Sequence, residues 1–245
     1  MNFKQAFITF WFKELDYNPI CKVGELEERL QGQFKVPFLI NDCEPFINIA
    51  LPRIVANSLN NSCFFNMTLV NANLNILFKE EDKEQVMLII NEKMQLFFDI
   101  LMEVFDLKII YSSIKIEYSE KIDNVLDYAK EVLIENDSLL EDLMVKTSVR
   151  RDEKYYINYI VNTTKEVNVN IKLPSKIKPL ESDMMARSML VSLQDGEIIG
   201  DIKNHVLEIN NRLLYNNDHN YLVNKDSIRD LLYEFKNLLI SKTKD

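Results

Sequence analysis

From Phe65 to Phe78 the chain reads as one strand, in which Val70, Ala72, Leu74, Ile76 and Phe78 are apolar, and Asn71, Asn73, Asn75 and Leu77 stand between them. A period of two sends the two sets to opposite faces, so a half-buried strand is predicted here. In the segment that follows, "EEDKEQVMLIINEKMQLFFDILMEVF", Val86, Ile90, Met94, Phe97, Leu101 and Val104 recur at helical spacing. Glu80, Glu81 and Asp82 precede them, where the positive end of a helix favours carboxylates. The period returns to two in "IIYSSIKIEYS", with Ile114, Ile116 and Tyr118 inward and Lys115 and Glu117 outward. Strand, long helix and strand together predict a βαβ unit, most simply parallel and right-handed.

The flanking segments extend this frame. "QAFITFWF" reads as an N-terminal strand, and "GELEERLQG" (24–32) as a short helix bracketed by glycines. Pro37, Pro45 and Pro52 mark an irregular stretch whose apolar residues lie against the core. Residues 122–134 carry an amphipathic pattern through Ile122, Val125, Leu126, Ala129 and Leu133, which predicts a second helix. Val145, Thr147 and Val149, then Tyr155, Ile157, Tyr159 and Val161, then Val167, Val169, Ile171 and Leu173 alternate with polar residues. With "RDEK" and "NTTKE" as turns, these predict a three-stranded antiparallel meander.

Residues 174–188 hold two prolines and are the best candidate for a loop. Asp195-Gly196 predicts a hairpin turn, and "HVLEINNRLLYN" a further strand. The chain closes on a helix with the stripe Ile228, Leu231, Leu232, Phe235, Leu238, Leu239 and Asp226 as its N-cap. The fold class is therefore α+β: seven or eight mostly antiparallel strands, a βαβ unit in the N-terminal half, and about three substantial helices on one side. One compact domain over 1–245 is expected, with 1–120 and 121–245 as the natural halves if it divides.

Composition narrows the function. With 47% hydrophobic residues the chain can bury a full core, and with only 4 glycines and 6 prolines it has no flexible linker composition. The formal charge of −9 disfavours a polyphosphate partner. Cys21, Cys43 and Cys63 are odd in number and widely spaced, which predicts buried thiols in a reducing cytoplasm. No apolar run reaches the ~18 residues that span a bilayer, so no membrane partner is expected. The abundance of Asn, Ile and Lys suits AT-rich codons, as in a low-GC bacterium or a mobile element.

Three sets of residues could carry function. Arg150, Arg151 and Lys154 stand beside Tyr155, Tyr156 and Tyr159, the residue types that contact and stack on nucleic acid. Asp152 and Glu153 partly cancel them, and Tyr155 and Tyr159 share a face with Ile157 and Val161, which marks that face as core. Asp201 and Lys203, with Glu197 as a second carboxylate, match the D-x-K half of a metal-dependent nuclease or phosphodiesterase site. Asn71, Asn73 and Asn75 line one strand face despite poor strand propensity, and an uncharged amide face could receive a partner. His205 and His219 stand in no metal-binding spacing and read as surface or loop residues. Gly24, Gly32, Gly196 and Gly200 build no glycine-rich phosphate cradle, so no cofactor is expected. The sequence points to a non-enzymatic cytoplasmic protein that binds another protein or itself.

Overall fold

The computed structural model describes residues 1–42, 48–122, 144–168 and 197–243, with side chains outside that description at 164–168 and 197–201. Among these residues the chain forms β1 (Asn2–Phe12), α1 (Val23–Leu30), β2 (Leu39–Ile40), β3 (Ile54–Asn57), β4 (Cys63–Met67) and β5 (Asn71–Leu77). After these come α2 (Lys83–Phe105), β6 (Ile109–Ile122), β7 (Met144–Arg151), β8 (Tyr155–Asn168) and β9 (Glu197–Asn210). Two helices close the chain, α3 (Arg212–Asn217) and α4 (Lys225–Lys242). This is an α+β fold with a nine-stranded antiparallel sheet in the order β2-β3-β4-β5-β1-β6-β9-β8-β7.

The chain divides into two compact units. The larger comprises Asn2–Tyr118, Lys146–Ile160 and His205–Asp245. The smaller comprises Met1, Ser119–Val145 and Val161–Asn204; in it Lys203 Nζ on β9 meets Glu120 Oε1 on β6 at 3.1 Å.

The alternation that defines β5 sets the core of the larger unit. Ala72, Leu74 and Ile76 are buried, as are Ile8 and Phe10 of β1, Phe65 and Met67 of β4, and Ile114 and Ile116 of β6. Opposite them α2 presents Val86, Ile90, Met94, Phe97 and Leu101, and α4 presents Ile228, Leu231, Phe235 and Leu239. Phe97 sits between rings, 5.0 Å from Phe65 and 5.9 Å from Phe34. Asp82 caps α2 by accepting the Gln85 N–H at 2.8 Å, and Asp106 ends it in the left-handed region (φ 49°). The crossover through α2 does not make β5 and β6 neighbours, because β1 lies between them.

Several local expectations are corrected. Phe65 does not begin the strand of the asparagine row: Cys63–Met67 is its own strand, and the chain turns back through Thr68, whose hydroxyl accepts from the Val70 and Asn71 N–H groups. β3 forms inside the stretch read as irregular, burying Ile54 and Ala56. "NTTKE" does not turn the chain; β8 runs through it to Asn168. Its two threonines are β-branched and favour extended backbone, and it holds no glycine or proline to break the strand. Likewise β9 continues from Glu197 to Asn210 where two strands were expected, and "RLLYNN" is the short helix α3. The N-cap of α4 is Asn224, not Asp226: Asn224 Oδ1 accepts from Ser227 N at 2.9 Å, and the Ser227 hydroxyl accepts in return from Asn224 N. Cys21 is exposed rather than buried. The second helix (from residue 123 on), the strand at 169–173, Cys43, the loop at 174–188 and the Asp195-Gly196 turn lie outside the described residues. Among the described residues no helix is long and apolar enough to cross a membrane.

Candidate functional site: the open face of the sheet

One face of the sheet in the larger unit packs on α2 and α4, and the residues between the buried ones project from the other. Register decides which meet. Thr9 pairs with Asn73, Trp11 with Asn71 and Phe7 with Asn75 across β1 and β5. Asn66 pairs with Asn73 and Phe64 with Asn75 across β4 and β5. The open face therefore carries amide rows interleaved with aromatic rings, all of them half-buried.

These polar side chains bond chiefly to one another. Thr9 Oγ1 donates to Asn73 Oδ1 at 2.9 Å, and Asn73 Nδ2 donates to Asn66 Oδ1 at 3.1 Å and to Asn71 Oδ1 at 2.8 Å. Asn75 Nδ2 reaches Gln5 Oε1 at 3.5 Å, and Gln5 Nε2 donates to Glu117 Oε2 at 2.6 Å. Farther along the same face Ser148 donates to Asn158, and Asn158 and Asn210 both donate to the Glu208 carboxylate. Such a network holds each amide in one orientation before any partner arrives.

The charges on this face are tied locally. Lys115 lies 2.7 Å from Glu117 and 4.3 Å from the centre of the Phe7 ring. Burial would push the Glu117 carboxyl up, but hydrogen bonds from Lys115 and Gln5 and the Lys115 charge outweigh it and hold it below its ordinary value. Trp11 and Tyr111 stack at 5.6 Å and 20°, and the Arg212 guanidinium covers Tyr111 at 5.6 Å. Burial pushes the Tyr111 hydroxyl up, with Arg212 opposing it. Arg150 covers Tyr156 in the same way at 5.6 Å. Each of these cations is attracted by the negative face of the ring beneath it.

The sequence-derived candidates separate in space. Asn71, Asn73 and Asn75 share the open face with Arg150. Arg151, one residue on, points to the helical side and lies 3.3 Å from Glu234 of α4, while Lys154 is exposed in the β7–β8 turn. The three basic residues therefore do not form one patch, because adjacent residues of a strand face opposite ways. Lys203 meets Glu120, and the side chains of Asp201 and Glu197 lie outside the description. His205 is a core residue, not a surface one: it stacks on Tyr118 at 4.5 Å, and its Nδ1 is 2.6 Å from the Tyr159 hydroxyl. His219 is exposed, its ring edge-on to Tyr215. Among the described residues no three His, Cys, Asp or Glu side chains gather as metal ligands.

Reasoning from sequence missed Phe7, Trp11 and Tyr111 as face residues. Both faces of β1 carry large apolar side chains, so its pattern lacks the contrast that marks an exposed side. Neither a family model nor a curated protein matches this chain.

Proposed function

We propose that this chain is a non-enzymatic binding protein, and that the open sheet face is the surface by which it engages another protein or a second copy of itself. The observation that supports this is the composition of that face. In a chain with 27% charged residues, the face is built mainly of aromatic rings and amides, with arginines laid on tyrosines. Aromatic and arginine enrichment with few free lysines and carboxylates is the pattern of protein interfaces. Because the amides already bond to one another, covering them strands few donors or acceptors, and their fixed orientation lowers the ordering cost of association. From β4 to β7 the face spans roughly 30 Å, with about 20 Å along the strands, about 600 Å² in plan and at the lower end of the ~600–1,000 Å² per partner of a standard interface.

Light scattering on protein purified from its native host tests the reading. The expected result is an assembly heavier than the 28.9 kDa chain, which Asn73→Arg returns toward that mass. A particle of 28.9 kDa at every concentration with no co-purifying protein overturns it, as does an assembly that Asn73→Arg leaves intact. A metal-dependent phosphodiesterase using Asp201 and Lys203 is the competing reading, in which Glu120 beside Lys203 would be a further carboxylate. Magnesium-dependent cleavage of nucleic acid that Asp201→Ala abolishes would favour it.

A further inference from the structure

A second surface lies on the opposite side of the larger unit. α2 and α4 pack against each other, with Lys83 at the start of α2 donating to the Thr243 hydroxyl and carbonyl just past the end of α4. The helices are thus antiparallel neighbours. Between them runs an open furrow of about 830 Å³. Met87 and Leu232 form its floor, and Leu88, Tyr233 and Ile240 its lips. The lips are large apolar side chains left in water: Leu88 is 55% exposed, Tyr233 65% and Ile240 37%. Apolar side chains clustered along one furrow mark a contact site more strongly than the same residues scattered singly.

The spacing on α4, Arg229, Leu232, Tyr233, Lys236 and Ile240, repeats every three to four residues over three turns. On α2, Met87, Leu88 and Asn91 line the other side of the same furrow. Two antiparallel helices with an apolar furrow between them are the receptor half of helix-in-groove recognition, in which a third amphipathic helix supplies the missing ridge. The charges select its type. Three cations, Lys83, Arg229 and Lys236, line the furrow against one carboxylate, Glu84, in a chain whose net charge is −9. Arg229 also holds Asp226 at 3.1 Å, and Lys236 has no carboxylate partner among the described residues. In a two-fold dimer through this furrow the cationic rim would meet its own copy and be repelled, whereas it attracts a segment of opposite sign.

We propose that the furrow between α2 and α4 docks an acidic amphipathic helix of a partner protein, with that helix's apolar stripe on Leu88, Tyr233 and Ile240 and its carboxylates toward Lys236 and Arg229. The furrow lies on the other side of the sheet from the open face, so the two sites stand or fall separately.

The test uses the full chain and two fluorescent 20-residue probe peptides of equal length. Both carry leucines at i, i+3, i+4 and i+7; one has glutamates on its polar face and the other lysines. The acidic probe is expected to bind at least tenfold tighter than the basic one, with affinity that falls as salt rises. Tyr233→Ala should weaken it about tenfold or more, as removal of a central aromatic anchor does. The pair Arg229→Glu and Lys236→Glu should weaken it and invert the preference for charge. These residues are exposed, so unchanged circular dichroism and melting temperature will show that each variant is folded. No binding of the acidic probe, equal binding of both probes, or affinity unchanged by Tyr233→Ala overturns the proposal. Asn73→Arg should leave probe binding unchanged, which separates this outcome from failure of the open-face reading.

Discussion

Asn73 and Thr9 are joined across β5 and β1 by a side-chain hydrogen bond of 2.9 Å, on the sheet face opposite α2 and α4. A strand face that only needed solvation would gain nothing from fixing these groups, and asparagine is a poor strand former. The bond matters because Asn73 is also the donor to Asn66 and Asn71, so it ties three strands together. Asn73→Ala should therefore cost little stability, about 1 kcal/mol, since the site is half-buried and water can replace the lost partners. Urea unfolding of the variant checks this.

The core makes a much larger demand. Phe97 is 1% exposed and fills the space between Phe34 and Phe65. Phe97→Ala should destabilise the chain by about 3–5 kcal/mol through lost burial and the cavity left behind. The shift of the urea midpoint at unchanged slope measures it.

The β7–β8 turn stores backbone strain. Asp152 and Glu153 sit at φ 52° and 53°, and Lys154 N donates to Arg151 O at 3.0 Å to close the turn. A turn of this kind favours glycine at its second central position, and a side chain there is disfavoured. Glu153→Gly should raise stability by about 1 kcal/mol, whereas Lys154→Gly, outside the left-handed region, should lower it. Paired thermal melts of the two variants distinguish these signs.

Alkaline pH should lower the stability of the chain in two stages set by buried acids. Burial pushes the Cys63 thiol from 9.0 up to about 12. Burial, with Asp230 and Glu234 nearby, pushes the Tyr155 hydroxyl from 10.0 up to about 12. Both groups are protonated and neutral in the native state. Raised native values mean that their contribution is fully present below the unfolded values, because ionisation then occurs in neither state. It is lost as pH climbs toward about 12, since the unfolded chain releases these protons first. Stability should decline from about pH 9 and more steeply above pH 10. In Cys63→Ala the decline should begin nearer pH 10, as unfolding midpoints taken at intervals of half a pH unit will show.

The start of α4 is held by a reciprocal cap between Asn224 and Ser227. Asn224→Ala should cost about 1 kcal/mol by stranding the Ser227 N–H. Native-state hydrogen exchange should show faster exchange confined to the first turn of α4.

Much of this fold was legible in the residues. β5, α2, β6 and α4 were readable because each buries one side only, so its period shows in the apolar positions. β3 is hidden by the prolines around it, "NTTKE" looks like a turn although β8 runs through it, and Asn204 looks like a break although β9 runs through it. Sheet pairing overrode those local preferences. The asparagine row was legible as a polar face, but its role as a bonded network was not. That network depends on Asn66, Thr9 and Gln5 arriving from other strands, and cross-strand register is a property of the assembled sheet. For the same reason the buried partners of His205 could not be read from its neighbours in sequence.

The chain has a single tryptophan, and Trp11 lies on the open face against Tyr111, so its fluorescence reports on that surface alone. Acrylamide quenching of Trp11 should be followed while the protein is taken from dilute monomer to its assembled state, with itself or with a purified partner. Coverage of the face predicts a blue-shifted emission and a several-fold fall in quenching as the assembly forms. Quenching that stays constant while light scattering shows assembly, or the absence of any assembly, would contradict the account.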